Sequence, residues 1–313
     1  MTHTEPATSN IAGFGFARRY DTILAVSTTA AVRVPGSTSN IGAGFDCLGL
    51  ALNLWLEAKI VEGSGDPEYS GTLTGLNFDS DLIFAVLGGA VPPGYQLQVH
   101  SEIPTGRGLG ASAAAAVAGL ALARLLVNEP LDRDAIFEAA REIEGHPDNA
   151  APAVFGGLVL SGDQPIPLTV SKHLGISLAV PAKPVSTKAA RDILPKLISR
   201  DVAVDQASRA AALSLGLSSG DGDLIRYGME DRIAVPHRSH LIPGYYEAVN
   251  AGLEAGAYGV TISGSGSTVI AITRKKSAKA VAQVLADTLT EAGNKAEALA
   301  PRVIHTGFET IED

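Results

Sequence analysis

The chain has 313 residues, with 33 acidic and 24 basic side chains for a formal charge of −9, a hydrophobic fraction of 46% and 18% charged residues. These values exclude a disordered or collagen-like chain, and the length predicts about two domains. The acidic balance argues against a nucleic-acid or anionic-membrane partner, and the single cysteine, Cys47, excludes an intramolecular disulfide. We therefore expect a cytoplasmic protein with a small-molecule partner.

The N-terminal segment, residues 1–21, reads as a polar tail, and strands and helices are predicted after it. Leu82–Ser101 is uncharged but is interrupted by glycines and prolines, so we expect no membrane span there. The first half of the chain predicts strands at Thr22–Val34, Leu50–Val61 and Tyr95–His100, then helices at Ala111–Val127 and Asp132–Glu144, the last capped by Asp132 and ended by Gly145.

Gln164–His173 is rich in proline and is predicted to cross between two lobes. The second half then predicts strands at Gly175–Val180, Gly259–Ser263, Thr268–Thr273 and Pro301–Thr306, and helices at Lys188–Leu194, Val204–Leu215, Gly244–Ala255 and Ser277–Ala292. Because strands precede helices in the first half, the pattern favours an α+β fold with domains at residues 22–170 and 171–313.

The sharpest local signal is Pro104-Thr-Gly-Arg-Gly-Leu-Gly-Ala-Ser112 at the start of the alanine-rich helix. Small residues leave backbone amides free to surround an anion, and the helix dipole adds positive charge. Ser112 in the first turn can reach a metal held by bound phosphates. A close-packed helix entered through a flexible turn is the simpler alternative.

Gly106-x-Gly108-x-x-Ala111 also satisfies the dinucleotide-binding fingerprint, with Glu129 near the expected ribose-binding acid. The context argues against a Rossmann fold. Tyr95–His100 alternates in polarity, and a second helix follows where a second parallel strand is required.

Pro35–Asp46 is a polar, glycine-rich segment that we interpret as a long binding loop between two strands, or as an ordinary connection in which Asn40 and Asp46 cap local backbone. It is long for a plain connection in a compact domain, which favours the binding interpretation.

Glu142-Ile-Glu-Gly-His-Pro-Asp-Asn149 places carboxylates just before a turn that carries His146, Asp148 and Asn149. The glutamates equally fit a solvated helix face. Ile262-Ser-Gly-Ser-Gly-Ser-Thr268 is either a second anion-binding turn or a plain hairpin turn.

The order of these segments resembles the GHMP kinases, a family of small-molecule kinases: a Pro-led loop ending Gly-Phe-Asp46, the central Gly-Leu-Gly-x-Ser112 loop and the late Ser-Gly-Ser-Gly turn. Glu142–Pro152, Ser186–Arg191 and Arg238 resemble the members that phosphorylate L-homoserine. The resemblance implies a first domain with the ribosomal protein S5 domain 2-like fold and a ferredoxin-like second domain.

The resemblance also implies ATP as the phosphate donor and Mg²⁺ as the metal. Ser112 matches the magnesium-binding serine, and Glu142 matches its carboxylate partner. The residues it assigns to ATP are Pro104, Gly106, Arg107, Gly108, Leu109, Gly110, Ala111 and Ser112.

For the acceptor, the resemblance assigns the homoserine pocket, in which Asp46 suits the ammonium group and arginines suit the carboxylate. The matching positions are Asn40, Asp46, His146, Asn149, Thr187, Arg191, Arg238 and Gly264. We expect Asn149 to orient the acceptor hydroxyl, with Asp148 as the rival general base, so that Asn149, Ser112 and Glu142 form the catalytic set.

Two departures from the family pattern are Ala111, where a second serine is common, and Ser267, where proline is common. They leave nucleotide affinity and the rigidity of the late turn open. The family further implies a homodimer and inhibition by threonine. The alternatives are another GHMP kinase, for mevalonate, a sugar or shikimate, and a non-catalytic GHMP-like metabolite sensor.

Overall fold

The computed structural model describes residues 30–75, 81–87 and 91–311. The predicted tail at residues 1–21 and the start of the first predicted strand lie outside these residues. Within them the chain forms two antiparallel-rich sheets packed with helices, which confirms the α+β prediction.

The strands are β1 (Ala30–Asn40), β2 (Gly44–Glu62), β3 (Glu68–Gly71), β4 (Tyr95–Ser101), β5 (Leu158–Ser161), β6 (Pro165–Leu168), β7 (Leu174–Pro181), β8 (Gly259–Ile262), β9 (Val269–Arg274), β10 (Ala296–Leu299) and β11 (Glu309–Thr310). The helices are α1 (Leu82–Leu87), α2 (Ala111–Leu126), α3 (Arg133–Glu144), α4 (Ala150–Phe155), α5 (Thr187–Asp192), α6 (Arg200–Ser219), α7 (Gly222–Met229), α8 (Val235–Arg238), α9 (Tyr245–Glu254) and α10 (Ala278–Glu291). Short 3₁₀ turns occupy Ser239–Leu241 and Lys275–Ser277.

The first sheet has the order β11-β1-β2-β4-β3, and the β5–β6 hairpin pairs with the first half of β2. From Leu56 to Ile60 strand β2 alternates as predicted, since Leu56, Ala58 and Ile60 are buried while Glu57 and Lys59 lie on the other face. Before it the alternation fails: Leu54 is only half-buried and Ala51 is as buried as Leu52, beside the shift in pairing at Pro35 and Gly36. The alanines of α2 allow this helix to pack closely under the sheet, and most of them are fully buried. The predicted ends of α3 are confirmed: Asp132 accepts from two backbone amides, and Gly145 ends the helix at φ +76°.

The second sheet is antiparallel, with the order β10-β7-β9-β8. Its strands and helices follow one another as β7, α5–α9, β8, β9, α10 and β10, which is an elaborated βαββαβ arrangement. This confirms the ferredoxin-like prediction for the second lobe. The two sheets share one core cluster, because Leu178 and Ile272 belong to the same buried cluster as Leu50 and Val117.

Pro301–Thr306 does not form the predicted strand. Val303 makes a single bridge to Leu52, and the chain then continues to β11, which pairs with β1 at the edge of the first sheet. The last residues of the predicted second domain therefore complete the first sheet, and the division at residues 170 and 171 stays a prediction.

Two further segments differ from the sequence prediction. Pro35–Asp46 is a strand hairpin with a turn at residues 41–43 rather than a long loop, because β1 continues to Asn40 with irregular pairing at Pro35 and Ser39. Gln164–His173 begins with β6, whose prolines sit on an edge strand beside β5 and leave residues 169–173 to cross between the lobes.

Candidate functional site

A cleft of about 350 Å³ lies where the start of α2, the β1–β2 hairpin, the end of α3, α5 and the β8–β9 turn meet. It gathers most of the residues that sequence reasoning selected. Its lining residues from that set are Asn40, Asp46, Gly106, Arg107, Gly108, Leu109, Gly110, Ala111, Ser112, His146, Asn149, Thr187, Arg191, Arg238 and Gly264. Pro104 lines an adjacent cavity instead, and Glu142 lines neither.

The glycine loop ends at the N-terminus of α2, whose first turn has no side-chain cap and no acidic residue. Gly106, Gly108 and Gly110 all have positive φ, near +70°. Gly108 requires glycine for a second reason as well, because a Cβ atom there would lie 2.1 Å from the carbonyl oxygen of Ser263. The free amides and the helix dipole make this end of the cleft suited to an anion.

The second lobe holds the glycine loop in place. Arg107 donates to the carbonyl oxygen of Pro181 at 2.7 Å and also to that of Ala182. The hydroxyl of Ser263 donates to the carbonyl oxygen of Gly108 at 2.7 Å. The β8–β9 turn is therefore a hairpin turn that also supports the glycine loop, and an anion-binding role for it stays a prediction.

Ser112 and Glu144 form the oxygen pair beside the loop. The Ser112 hydroxyl donates to Oε1 of Glu144 at 2.6 Å. Glu142, which the sequence analysis selected, is exposed and does not line the cleft, whereas Glu144 lines it. Burial raises the pKa of Glu144 above its ordinary value, although the Ser112 hydroxyl and His146 partly offset this.

A metal at this point would have two protein ligands. Among the described residues, no cluster of three or more His, Cys, Asp and Glu side chains could hold a metal ion by itself. One hydroxyl and one carboxylate oxygen beside an anion-binding loop suit a hard cation that takes its other ligands from phosphate and water.

Asp46 and Arg191 face each other across the cleft. The guanidinium of Arg191 donates to both carboxylate oxygens of Asp46, at 2.9 and 3.1 Å. Asp46 has a positive φ of 54°, and its backbone amide donates to Oδ1 of Asn40 at 2.9 Å. A non-glycine residue held in this region is uncommon, and here the conformation directs the carboxylate to the cleft.

Arg238 is buried at the back of the cleft, only 3% exposed. It donates to the carbonyl oxygens of Ala190 at 2.9 Å and Gly264 at 3.1 Å, and it lies over the ring of Phe45. Arg238 therefore joins α5 to the β8–β9 turn. The remaining guanidinium hydrogens stay available to the cleft.

His146 and Asp148 form a tight pair, with Nδ1 of His146 at 2.7 Å from Oδ1 of Asp148. Burial alone lowers the pKa of His146, but the hydrogen bond and charge of Asp148 outweigh it and hold the pKa above its ordinary value. Burial likewise opposes ionisation of Asp148, and His146 outweighs it, so the pKa of Asp148 lies below its ordinary value.

Two serines of β1 hydrogen-bond the side-chain carboxamide of Asn149. The hydroxyl of Ser37 donates to Oδ1 of Asn149 at 2.9 Å, and Nδ2 of Asn149 donates to Oγ of Ser39 at 3.0 Å. Sequence reasoning quoted both serines within Pro35–Asp46 but did not select them. Their spacing of two along a strand, which places both on one face, was the available signal.

The described part of the chain contains no helix with the length and apolar character that crossing a membrane requires. The alternative of a Rossmann fold is excluded by the topology. Strand β4 pairs antiparallel with β2, and α2 leads to α3 rather than to a parallel neighbour of β4.

Two family models match the chain: the GHMP kinases N-terminal domain over residues 80–157 and the GHMP kinases C-terminal domain over residues 206–291. Homoserine kinase of Synechocystis sp. is 38% identical, covering 85% of this chain and 93% of its own length. Homoserine kinase of Thermus thermophilus is also 38% identical, covering 77% of this chain and 86% of its own length.

Among solved structures, homoserine kinase from Cytophaga hutchinsonii superposes with a TM-score of 0.78 at 30% identity, covering 93% of this chain and 99% of its own. A mevalonate kinase superposes with a TM-score of 0.64 at 14% identity, over 88% of this chain and 99% of its own. The second likeness concerns the fold alone.

Proposed function

Because the chain belongs to the GHMP kinase family, among its homoserine kinases, we propose that it transfers the γ-phosphoryl group of ATP to the side-chain hydroxyl of L-homoserine. The products are O-phospho-L-homoserine and ADP, in threonine biosynthesis. The observation that carries the proposal is one cleft that joins an anion-binding loop to the Asp46–Arg191 pair. That pair complements the two charges of an amino acid.

The loop from Gly106 to Ser112 is proposed to bind the ATP phosphates with its amides and with the N-terminus of α2. Ser112 and Glu144 would hold Mg²⁺, and Glu144 replaces Glu142 in this role because it alone of the two lines the cleft. The metal, when bound, would neutralise charge on the transferring phosphoryl group. Ala111 in place of a second serine still leaves Ser112 in position.

The opposite end of the cleft is proposed to bind the amino-acid group of homoserine. Asp46 would accept from its ammonium, and Arg191 and Arg238 would donate to its carboxylate. Thr187, whose hydroxyl lies 3.4 Å from that of Ser265, would close this end. Asn40 and His146 border the same space, and Gly264 supplies the carbonyl oxygen to which both Asn40 and Arg238 donate.

Asn149 is proposed to orient the acceptor hydroxyl between these two ends. Phosphoryl transfer has a loose transition state, so positioning and charge neutralisation supply most of the acceleration, and a strong base is not obligatory. Asp148 is already occupied by His146, at 2.7 Å, which disfavours it as the base. In the transfer, the hydroxyl oxygen bonds to the γ-phosphorus as the bond to ADP breaks, and the hydroxyl proton passes to a phosphoryl oxygen.

Three finer features stay proposals that follow from this function. Threonine carries the same ammonium and carboxylate groups as homoserine, so we expect it to compete for the Asp46–Arg191 end. A homodimer and a cytoplasmic location are expected from the family and from the composition.

The test is a coupled ADP-release assay with Mg²⁺ across homoserine, mevalonate, shikimate and galactose. We expect homoserine to exceed the others by about 10²-fold or more in kcat/KM, because only it carries both charges that the cleft complements. A preference for another alcohol would assign a different GHMP kinase activity. Binding of ATP without ADP release for any alcohol would indicate a sensor.

A further inference from the structure

A network of buried hydrogen bonds beneath the cleft joins β1 to the turn that follows α3. Ser37 Oγ donates to Oδ1 of Asn149 at 2.9 Å, and Nδ2 of Asn149 donates to Ser39 Oγ at 3.0 Å. Nδ2 of Asn149 also lies 3.4 Å from Oδ1 of Asp148, the atom that pairs with Nδ1 of His146 at 2.7 Å. These five side chains belong to two segments, β1 and the turn between α3 and α4, that the fold brings together.

Asp148 determines the orientation of the Asn149 carboxamide. An ionised carboxylate only accepts, so the carboxamide atom that faces Oδ1 of Asp148 is the donor Nδ2. The same nitrogen donates to Ser39 Oγ at 3.0 Å. Oδ1 is left to face Ser37, which donates to it.

We propose that Ser37 and Ser39 are positioning residues that fix the Asn149 carboxamide so that its Oδ1 atom accepts the hydrogen of the substrate hydroxyl. This inference rests on the proposed phosphoryl transfer. A Cβ atom at Gly110 would lie 2.2 Å from Ser37 Oγ and 3.2 Å from Asn149 Oδ1, so Oδ1 lies beside the start of α2, on the phosphate side of the cleft.

Among the residues that the structure describes, the hydrogen bonds of the Asn149 carboxamide leave one acceptor position unused. Nδ2 donates to Ser39 and, at 3.4 Å, to Oδ1 of Asp148, which uses both amide hydrogens. Ser37 uses one lone pair of Oδ1, and a carbonyl oxygen has two. The remaining lone pair can accept from one further donor in the cleft.

An acceptor at this point suits the chemistry, whereas a donor would oppose it. The substrate hydroxyl attacks phosphorus with an oxygen lone pair, and an acceptor for its hydrogen directs that lone pair to the phosphorus. A flipped carboxamide would donate into the attacking lone pair and compete with the new oxygen–phosphorus bond. The carboxamide takes no proton, so the hydroxyl proton still leaves on a phosphoryl oxygen.

The Ser37 side chain could instead serve only to support the glycine loop, because its Oγ atom packs against Gly110, where a Cβ atom would lie 2.2 Å from it. The two roles differ in their coupling to Asn149. A positioning role disappears when the carboxamide is removed, whereas support of the loop does not.

The experiment is a double-mutant cycle with homoserine and ATP. We expect S37A and S39A each to lower kcat by about 10-fold, the loss of one buried hydrogen bond, with KM for both substrates within about threefold. In the Asn149→Ala background the same changes should lower kcat by no more than about twofold. S177A is the matched control, because Ser177 is a buried serine whose hydroxyl donates to Ala278 at 2.8 Å, and it should retain kcat.

Multiplicative losses in the cycle, or a raised KM for ATP with unchanged kcat, would assign the serines to loop support and overturn the proposal. A second readout uses the wild-type and S39A proteins without substrate. The two side-chain amide protons of Asn149, assigned by their absence in N149A, should exchange slowly in the wild type, and one should exchange at least about 10-fold faster in S39A. Equal exchange in both proteins would contradict the carboxamide clamp even if the wild type proved inactive on homoserine, which is the separate failure of the proposed function.

Discussion

The guanidinium of Arg191 holds both carboxylate oxygens of Asp46, at 2.9 and 3.1 Å, across the acceptor end of the cleft. About a third of each side chain is exposed, so solvent and ligands reach the pair. An amino acid offers an ammonium group for Asp46 and a carboxylate for Arg191. When it binds between them, each side chain exchanges its present partner for a ligand group of opposite charge. A ligand with one charge leaves one partner unsatisfied.

Homoserine analogues test this relationship directly. 4-Hydroxybutanoic acid lacks the ammonium group, and 3-aminopropan-1-ol lacks the carboxylate. We expect each to show a kcat/KM about 10²-fold or more below that of homoserine, since each leaves a charged hydrogen-bonding group unmatched. The ADP-release assay measures it, and a loss for only one analogue would mean that a single charge is recognised.

Arg191→Met removes the guanidinium while keeping much of the side-chain length. We expect KM for homoserine to rise by about 10²-fold and KM for ATP to change less than threefold, because Arg191 is proposed to bind the carboxylate of homoserine and not the nucleotide. Lys188→Met, one turn away on α5 with a side chain that is 84% exposed, is the matched control and should leave both constants unchanged. An equal rise in both KM values for R191M would contradict the separation of the two ends.

Glu144→Gln and Glu142→Gln form a matched pair that decides which glutamate serves the metal. The first removes the charge beside Ser112, and the second removes one from the exposed face of α3. We expect kcat to fall by about 10²-fold or more for E144Q, with a raised Mg²⁺ requirement, and to stay within twofold for E142Q. Titration of activity with Mg²⁺ measures both effects, and the reverse order would restore Glu142.

The same Glu144→Gln change should stabilise the ligand-free protein. Burial raises the pKa of Glu144, so the folded state binds its proton more tightly than the unfolded state does. As pH rises through the raised pKa, ionisation of Glu144 therefore lowers the unfolding free energy of the wild-type protein. The E144Q protein has no carboxylate at this position and does not lose this stability. We expect a higher thermal midpoint for E144Q at pH 8 and a shrinking difference toward pH 4.5, measured by thermal unfolding without Mg²⁺ or nucleotide. A lower midpoint at pH 8 would show that the carboxylate is stabilising.

Asp148→Asn distinguishes orientation from base catalysis. If Asp148 only orders its neighbours, we expect kcat to fall by about 10- to 10²-fold with homoserine binding retained. A loss of about 10⁴-fold with intact binding would identify Asp148 as the general base, because a positioned base contributes up to about that factor. Binding is measured separately by calorimetry with homoserine.

The sequence predicted the features that depend on local pattern. The alternation in the later part of β2, the alanine-rich packing face of α2 and the caps of α3 at Asp132 and Gly145 all follow from spacing and from residue type. The glycine loop was found because its backbone conformations require glycine at Gly106, Gly108 and Gly110.

Contacts between residues far apart in the sequence could not be predicted from local pattern. Glu142 and Glu144 flank Ile143 on α3 at about 100° to either side, so the apolar stripe does not show which one faces the cleft. The distance to Ser112, which is 32 residues away along the chain, decides it. Likewise, Ser37 and Ser39 gain their role from Asn149, more than a hundred residues away.

The pairing of β11 with β1 has a consequence for the order of assembly during synthesis. Arg33 binds Glu309 through two hydrogen bonds and Val32 pairs with Thr310, so an edge of the sheet made first stays unpaired until residues 309–310 have emerged. Everything between, including the whole ferredoxin-like lobe, is then enclosed as a loop of the first sheet. The nascent chain thus begins the first sheet before the ferredoxin-like lobe and completes that sheet after it.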